Sequence, residues 1–415
     1  MISLSLYLAV TFLILGMFGL TAVFYNLLKQ VESSKLKDSQ LPFISVVIPA
    51  RNEEGKIGRL LESLAKQDYP NFEVVVVNDR STDRTGDIIV DYAQKYERIK
   101  LIQGSDAPPG WIGKCNAILH AVSKVSKKGD DQWYIFTDAD TYHHPNSLKD
   151  AVSYALENNL DLLSFIPVQE LGSFPERLVM PVLLSGFLLG DPFHTVNDPE
   201  AERAYAYGQY IVCKRTSYEA MGGHESVRDE IVEDHAIARV FKEKGCKIGV
   251  ADGKNLYSVR MYTDLKSMWL GWTKNLYSLI DSKISNLAFL LFLLNTVVVF
   301  PLFELAWVIA EWTQGEVNTN LIRLTALVAV QYITLFLWYK QCSEHHRGID
   351  WRHFFLTPFG TLTLTCLYLH SAYLVLFGEE VNWKGRRYVV STKKTIDPDS
   401  GAMDKGKLMA DARDI

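Results

Sequence analysis

The sequence predicts a mainly parallel α/β domain held to a membrane by four apolar helices. Two observations carry that expectation. Between residues 44 and 137, short apolar β-branched runs alternate with helical stretches, and such runs need cover on both faces of a parallel sheet. The long uncharged runs lie elsewhere, at the start of the chain and after residue 286.

Ile2–Leu28 carries no charged side chain. A helix rises about 1.5 Å per residue, so about 20 apolar residues cross a hydrocarbon core roughly 30 Å thick. A cleaved signal peptide would begin with cations, whereas Lys29, Lys35 and Lys37 follow this run, so a retained anchor is expected. Leu287–Ala310, Leu321–Tyr339 and Phe354–Phe377 are the further expected spans. Pro301 and Pro358 are expected to kink them, and Glu304 and Arg323 to sit near the interface.

Cations mark the cytoplasmic side. They flank the first span, separate the third from the fourth (Lys340, Arg347, Arg352) and follow the last (Lys384, Arg386, Arg387). Residues 311–320 carry two Glu and no cation. The N-terminus is therefore expected outside and the C-terminus in the cytoplasm, with the plasma (inner) membrane of a bacterium as the site. The expected organisation is an anchor at 1–29, a cytoplasmic α/β domain with interfacial helices at 30–282, three membrane helices at 283–378 and a cytoplasmic, largely disordered tail at 379–415.

Within the α/β domain, Ile44–Ile48, Phe72–Val77, Ile99–Ile102 and Tyr134–Thr137 are the expected strands. Ile57–Gln67, Asp83–Tyr96 and Asn116–Val125 are the expected helices. Ligands of such sheets bind beyond the carboxyl ends of the strands. Three of these ends are acidic: Arg51-Asn52-Glu53-Glu54, Asn78-Asp79-Arg80-Ser81-Thr82-Asp83 and Asp138-Ala139-Asp140. One carboxylate at one edge would suit a helix cap. Three edges suit a ribose, a uracil-like ring and a metal-bound diphosphate.

Other functions lack their signatures. The net charge of −5 argues against a nucleic-acid partner. Five scattered cysteines without a C-x-x-C pair fit a reducing compartment and argue against structural zinc. Gly110-Trp111-Ile112-Gly113-Lys114-Cys115 ends in Cys where a Walker loop needs Ser or Thr. No G-x-G-x-x-G follows the first strand, and no G-x-S-x-G elbow is present. His143-His144 follows the third acidic motif closely, but a role away from any metal is the simpler expectation.

Taken together, these residues resemble the membrane-bound glycosyltransferases of family 2, which have the GT-A fold. The likeness lies in Ser45-Val46-Val47-Ile48-Pro49-Ala50-Arg51-Asn52-Glu53, Val77-Asn78-Asp79-Arg80-Ser81-Thr82-Asp83, Thr137-Asp138-Ala139-Asp140 and Glu233-Asp234. Pro109-Gly110-Trp111-Ile112-Gly113-Lys114, Gly208-Gln209-Tyr210, Gly222-Gly223-His224-Glu225 and Gly271-Trp272-Thr273-Lys274-Asn275 are similar to the subgroup that glycosylates carotenoid- or hopanoid-type lipids.

The resemblance implies that Ala50, Asn52, Glu53 and Asp79 line the pocket of a nucleotide-sugar donor, a UDP-sugar. It implies that Asp140, assisted by Asp138, ligates Mg²⁺ or Mn²⁺ and that Lys114 approaches the diphosphate. Asp234 matches the catalytic base of an inverting single displacement, with Glu233 as its supporting neighbour. Asp234 would equally suit a helix N-cap.

The acceptor implied is a membrane lipid. Gln209, His224, Trp269 and Trp272 are expected on its side of the site, and Leu178–Gly190 is expected to lie at the interface. Two other readings compete: a processive polysaccharide synthase and a non-catalytic nucleotide-sugar-binding scaffold. Trp269-Leu270-Gly271-Trp272 lacks the Gln/Arg and second Arg of the synthase motif Q/R-x-x-R-W.

Overall fold

The computed structural model describes residues 4–27, 29–190, 193–230, 232–315, 317–343, 346–349, 351–378, 380–383 and 386–389. The tail expected to be disordered lies outside the described residues from 390 onward. The chain divides into two compact units. Of the described residues, one unit takes those within 29–169, 193–261 and 376–389, and the other those within 4–27, 170–190 and 262–375. Residues 170–190 and 262–282, assigned to the α/β domain from sequence, therefore group with the apolar helices.

The strands that position the site are β1 (Ile44–Ala50), β2 (Phe72–Asn78), β3 (Ile99–Gln103), β4 (Trp133–Thr137), β5 (Thr141–His143), β6 (Leu162–Ile166), β7 (Val168–Glu170), β8 (Tyr210–Lys214), β9 (Ile248–Asp252) and β10 (Tyr257–Val259). The main sheet runs β3-β2-β1-β4-β8-β6-β9. Its first four strands are mutually parallel. β8 runs antiparallel between β4 and β6, and β9 is parallel to β6. Val46, Val47, Ile48 and Val74–Val77 are all fully buried, which is why β1 and β2 read as unbroken apolar runs.

On one face, helices Ile57–Ala65 and Ser147–Glu157 bury Leu60, Leu61, Leu64, Leu148 and Val152 in the core that holds Val46, Ile48, Val74 and Val76. Each such side chain contributes about 1.5–3 kcal/mol by leaving water. The register Ala50↔Asn78 brings the ends of β1 and β2 side by side. A small second sheet pairs β10 with β5 and β7, so β5 turns back directly after Asp138-Ala139-Asp140.

The four expected strands and three expected helices are all present. The later strands have no sequence expectation to match. Leu162–Ile166 and Ile248–Asp252 are five residues each, and such short apolar runs read equally as buried helix.

In the other unit, four helices are long and apolar enough to cross a membrane: Leu4–Val23, Ile284–Thr313, Thr319–Gln341 and Trp351–Phe377. Pro301 is accommodated by a π-helical turn at Asn295–Val299, immediately before it, which relieves the clash a proline makes with the preceding turn. Pro358 differs from expectation. It is the second residue of helix Thr357–Phe377, where its missing N–H costs no hydrogen bond, so it starts that helix instead of kinking it. Glu304 also differs: it is fully buried, and its backbone carbonyl accepts a 3.3 Å hydrogen bond from the Tyr7 hydroxyl.

Candidate active site

The loops after β1 and β2 are laced together. Asp79 N–H donates to the Ala50 carbonyl at 2.8 Å, and the Arg51 guanidinium donates to the Asp79 carbonyl at 2.8 Å. Asn52 N–H donates to Ser81 Oγ, while Asn52 Oδ1 accepts from Thr82 N–H at 2.8 Å. Glu53 N–H donates to Thr85 Oγ1 at 2.7 Å. Asn52 and Arg80 both hold left-handed backbone, with φ of 51° and 54°. For Arg that conformation is strained, and the lacing is what sustains it. The Asn52 carbonyl oxygen is thereby engaged in shaping the loop. Ala50, Glu53 and Asp79 are buried around it.

Beyond β4, Asp138 and Asp140 keep 29% and 16% side-chain exposure, and each lies against a lysine. Lys114 Nζ is 2.8 Å from Asp138 Oδ1 and 2.7 Å from Glu233 Oε1. Lys56 Nζ is 3.6 Å from Asp140 Oδ2 and 3.7 Å from Glu53 Oε2, and it donates to the Met261 carbonyl at 3.0 Å. Lys56 escaped the sequence reading. Its one signal was position, three residues beyond Glu53 on the same strand-end loop. Burial works against the Lys114 ammonium, but Asp138, Glu233 and Asp234 hold its pKa well above the ordinary lysine value.

Glu233 and Asp234 open helix Glu233–Glu243, where the helix dipole favours carboxylates. The N-cap is Val232, so the capping role is not the one Asp234 takes. Instead Asp234 Oδ2 accepts from Gly208 N–H at 2.7 Å, and Oδ1 accepts from its neighbour His235 N–H at 2.9 Å. Burial raises the Asp234 pKa above the ordinary aspartate value, with Glu233 adding to the rise and His235 and Lys114 opposing it. A carboxylate in that position is a stronger proton acceptor than one in water.

Lys114, Asp138, Gly208, His224, Glu233 and Asp234 line one pocket. His224 is buried, shares a 2.9 Å hydrogen bond between Nδ1 and the Tyr218 hydroxyl, and is held neutral, its pKa pushed down to about 3 by burial and by Lys114. Gln209 is held by its backbone carbonyl, which accepts from Thr137 Oγ1 at 2.9 Å; its side-chain Oε1 is buried with no hydrogen-bond partner among the described residues. His143 is in the core against Tyr210 and Tyr257, where burial pushes its pKa down to about 3. Trp269 and Trp272 belong to the other unit. There the Trp269 indole donates to His370 Nδ1 at 2.8 Å, and Trp272 is buried with its indole on Met180 Sδ.

The donor set fits a hard divalent cation. Among the described residues no group of three or more His, Cys, Asp or Glu is placed to cage a metal. Two carboxylates at one strand end suit Mg²⁺ or Mn²⁺, whose remaining ligands come from phosphate oxygens and water.

Carboxylates and lysines thus converge at the strand ends of an α/β sheet. Residues 45–191 match the family described as glycosyl transferase family 2. The chain carries a glycosyl transferase family 2 domain and is a glycosyltransferase with four membrane-length helices. It is similar to the 4,4'-diaponeurosporenoate glycosyltransferase of Staphylococcus aureus USA300, 24% identical over 377 residues that cover 90% of this chain and 95% of the relative. The corresponding protein of strain MRSA252 is 25% identical over 379 residues, with the same coverage. Among solved structures, the mannosyltransferase PcManGT of Pyrobaculum calidifontis in complex with GDP-Man and Mn²⁺ aligns over 89% of this chain and 97% of its own, at 15% identity and a TM-score of 0.47. S. aureus TarS 1–349 in complex with UDP aligns over 56% of this chain and 64% of its own, at 24% identity and a TM-score of 0.35.

Proposed function

We propose that the enzyme moves one sugar from a nucleotide-diphosphate donor, a UDP-sugar, to a hydroxyl or similar group of a membrane lipid of the carotenoid or hopanoid type, with inversion at the anomeric carbon. The observation that carries this reading is the meeting of Lys114, Asp138, Glu233 and Asp234 at one pocket beside the strand ends. The S. aureus relatives, named for a carotenoid acceptor, and the four apolar helices support a lipid acceptor over a soluble one. The flanking cations support a cytoplasmic catalytic unit.

In this mechanism the acceptor oxygen bonds to the anomeric carbon while the bond from that carbon to the diphosphate oxygen breaks, and the leaving diphosphate keeps the electron pair. Asp234 takes the acceptor proton, and its raised pKa suits it to do so. Gly208 fixes the carboxylate through Oδ2. Lys114 supplies positive charge beside the departing phosphates, and it in turn helps hold the neighbouring His224 neutral. Asp138 and Asp140 would hold Mg²⁺ or Mn²⁺, which when bound neutralises charge on the leaving group. Ala50, Glu53 and Asp79 form the floor under the nucleoside.

The test is to incubate membranes bearing the enzyme with a panel of labelled nucleotide sugars and analyse the lipid extract by mass spectrometry. A lipid carrying one added sugar is the expected product. Label found only in a polymer, or in no lipid with any donor, would sink the proposal.

A further inference from the structure

The two carboxylates that the proposed function assigns to the cation are each already engaged by a lysine. Lys114 sits between Asp138 and Glu233 at 2.8 and 2.7 Å, and Lys56 sits near Asp140 and Glu53 at 3.6 and 3.7 Å. The two lysines differ in how they are held. The Lys56 ammonium is also fixed by the Met261 carbonyl at 3.0 Å, whereas Lys114 Nζ is paired with the two carboxylates and lines the pocket.

We propose that Lys114 is a placeholder: it occupies Asp138 until a nucleotide diphosphate arrives, and so makes divalent-cation binding conditional on the nucleotide. The inference rests on the reading of Asp138 and Asp140 as the cation's ligands.

The argument is electrostatic. A divalent cation reaching Asp138 alone must displace an ammonium in close contact, or bind beside it against like-charge repulsion. Lys56, anchored near Asp140, repels it from the other side. Two charges on the ion against one on each lysine, a few ångströms apart, weaken binding by about tenfold or more per lysine even at the dielectric constant of water. A diphosphate reverses the balance. Its oxygens offer the Lys114 ammonium an alternative anion, since lysine binds phosphate as a point charge, and they complete the cation's oxygen shell. Lys114 then moves from Asp138 to phosphate, and the vacated carboxylate oxygen receives the ion. The enzyme would thereby keep its acidic strand end free of adventitious metal and assemble the charged centre only around a donor. Lys114 has two successive partners in this scheme, a carboxylate and then a phosphate, so it is a gating residue as well as a phosphate contact.

The experiment is a Mn²⁺ titration of the full-length, detergent-solubilised protein, with free Mn²⁺ read by electron paramagnetic resonance. It is run without nucleotide, with UDP and with GDP, and a thermal melt of each protein checks its folding. The proteins are wild type, Lys114→Met and Lys56→Met; methionine keeps most of the aliphatic stem and removes the charge.

Wild type is expected to bind Mn²⁺ weakly alone and at least about tenfold more tightly with a nucleotide diphosphate. Lys114→Met is expected to bind Mn²⁺ about tenfold or more tightly than wild type without any nucleotide, and to keep only the part of the nucleotide's enhancement that direct phosphate ligation supplies. Lys56→Met is expected to tighten Mn²⁺ binding by a similar factor with and without nucleotide, because in the wild type the Lys56 ammonium stays on the Met261 carbonyl in both states. If Lys114→Met folds yet still requires a nucleotide to bind Mn²⁺, the placeholder role is wrong while the cation site stands. If wild type alone binds as tightly as Lys114→Met, it is equally wrong. If no protein binds Mn²⁺ with UDP or GDP, the cation reading of Asp138 and Asp140 fails, and the inference with it.

Discussion

The Gly208 amide donates a 2.7 Å hydrogen bond to Asp234 Oδ2, and a Cβ added to Gly208 would lie 2.7 Å from that same oxygen. Residue 208 is thus glycine because the carboxylate of the proposed base stands where a side chain would begin. Gly208→Ala is expected to push Asp234 aside by a fraction of an ångström and lower kcat about 10- to 100-fold, with donor affinity within about twofold of wild type. Steady-state kinetics with isothermal titration of the nucleotide checks it; unaltered kcat would show that Asp234 need not be where it is.

Asp234→Asn removes the proton acceptor but retains the side chain's shape. A general base contributes about 10²–10⁴-fold, so turnover should fall by that factor while nucleotide binding persists. The pH profile supplies a second reading. A base works deprotonated, so kcat/KM should rise with pH through the Asp234 pKa, which burial places above the ordinary aspartate value of 3.8. That acidic limb should vanish in Asp234→Asn, and a limb unchanged in the variant would assign it to another group.

Asp140→Ala should abolish the dependence of donor affinity on added Mg²⁺ or Mn²⁺ while leaving metal-free nucleotide binding intact. Equal nucleotide affinity with and without metal in the wild type would remove the basis for assigning Asp140 to the cation.

At the opposite, amino end of the parallel strands, Glu73 is buried and accepts from Ser45 Oγ at 2.8 Å, Lys100 Nζ at 2.7 Å and both Ser126 N–H and Oγ at 2.6 and 2.8 Å. Burial opposes its ionisation, but these hydrogen bonds prevail and hold its pKa below the usual 4.5. A folded-state pKa below the unfolded value gives stability that is full above about pH 4.5 and is lost as pH falls through the lower folded value. Glu73→Gln should therefore cost about 1–3 kcal/mol at neutral pH, read by thermal or denaturant melts, and the difference from wild type should shrink in acid. A cost that is constant with pH would show that packing, not charge, is what Glu73 contributes.

The sequence was most legible where one local rule decides the structure. Val74–Val77 is buried on both faces, so its continuous apolar run identifies a central strand, and the acidic residues after it mark the edge proposed to bind the donor. It was less legible where distant partners decide. β8 is an antiparallel insertion between β4 and β6, a pairing that no local pattern of Tyr210–Lys214 reveals. Lys56 joins the site only because the β1 loop folds back towards Asp140 and Met261. Glu304 looked interfacial by its distance from the end of its span, but packing against the first helix buries it. Asn52 matches a nucleotide-binding motif, and its side chain also holds the loop that carries Thr82.

The account turns on a single displacement assisted by Asp234, and the stereochemistry of the lipid product tests it most directly. The sugar donor identified from the panel should be presented in its α-anomeric form and the glycolipid isolated for proton NMR. The account predicts one added sugar in the β configuration, formed by wild type and not by Asp234→Asn. A retained α linkage, or an oligosaccharide chain on the lipid, would contradict it.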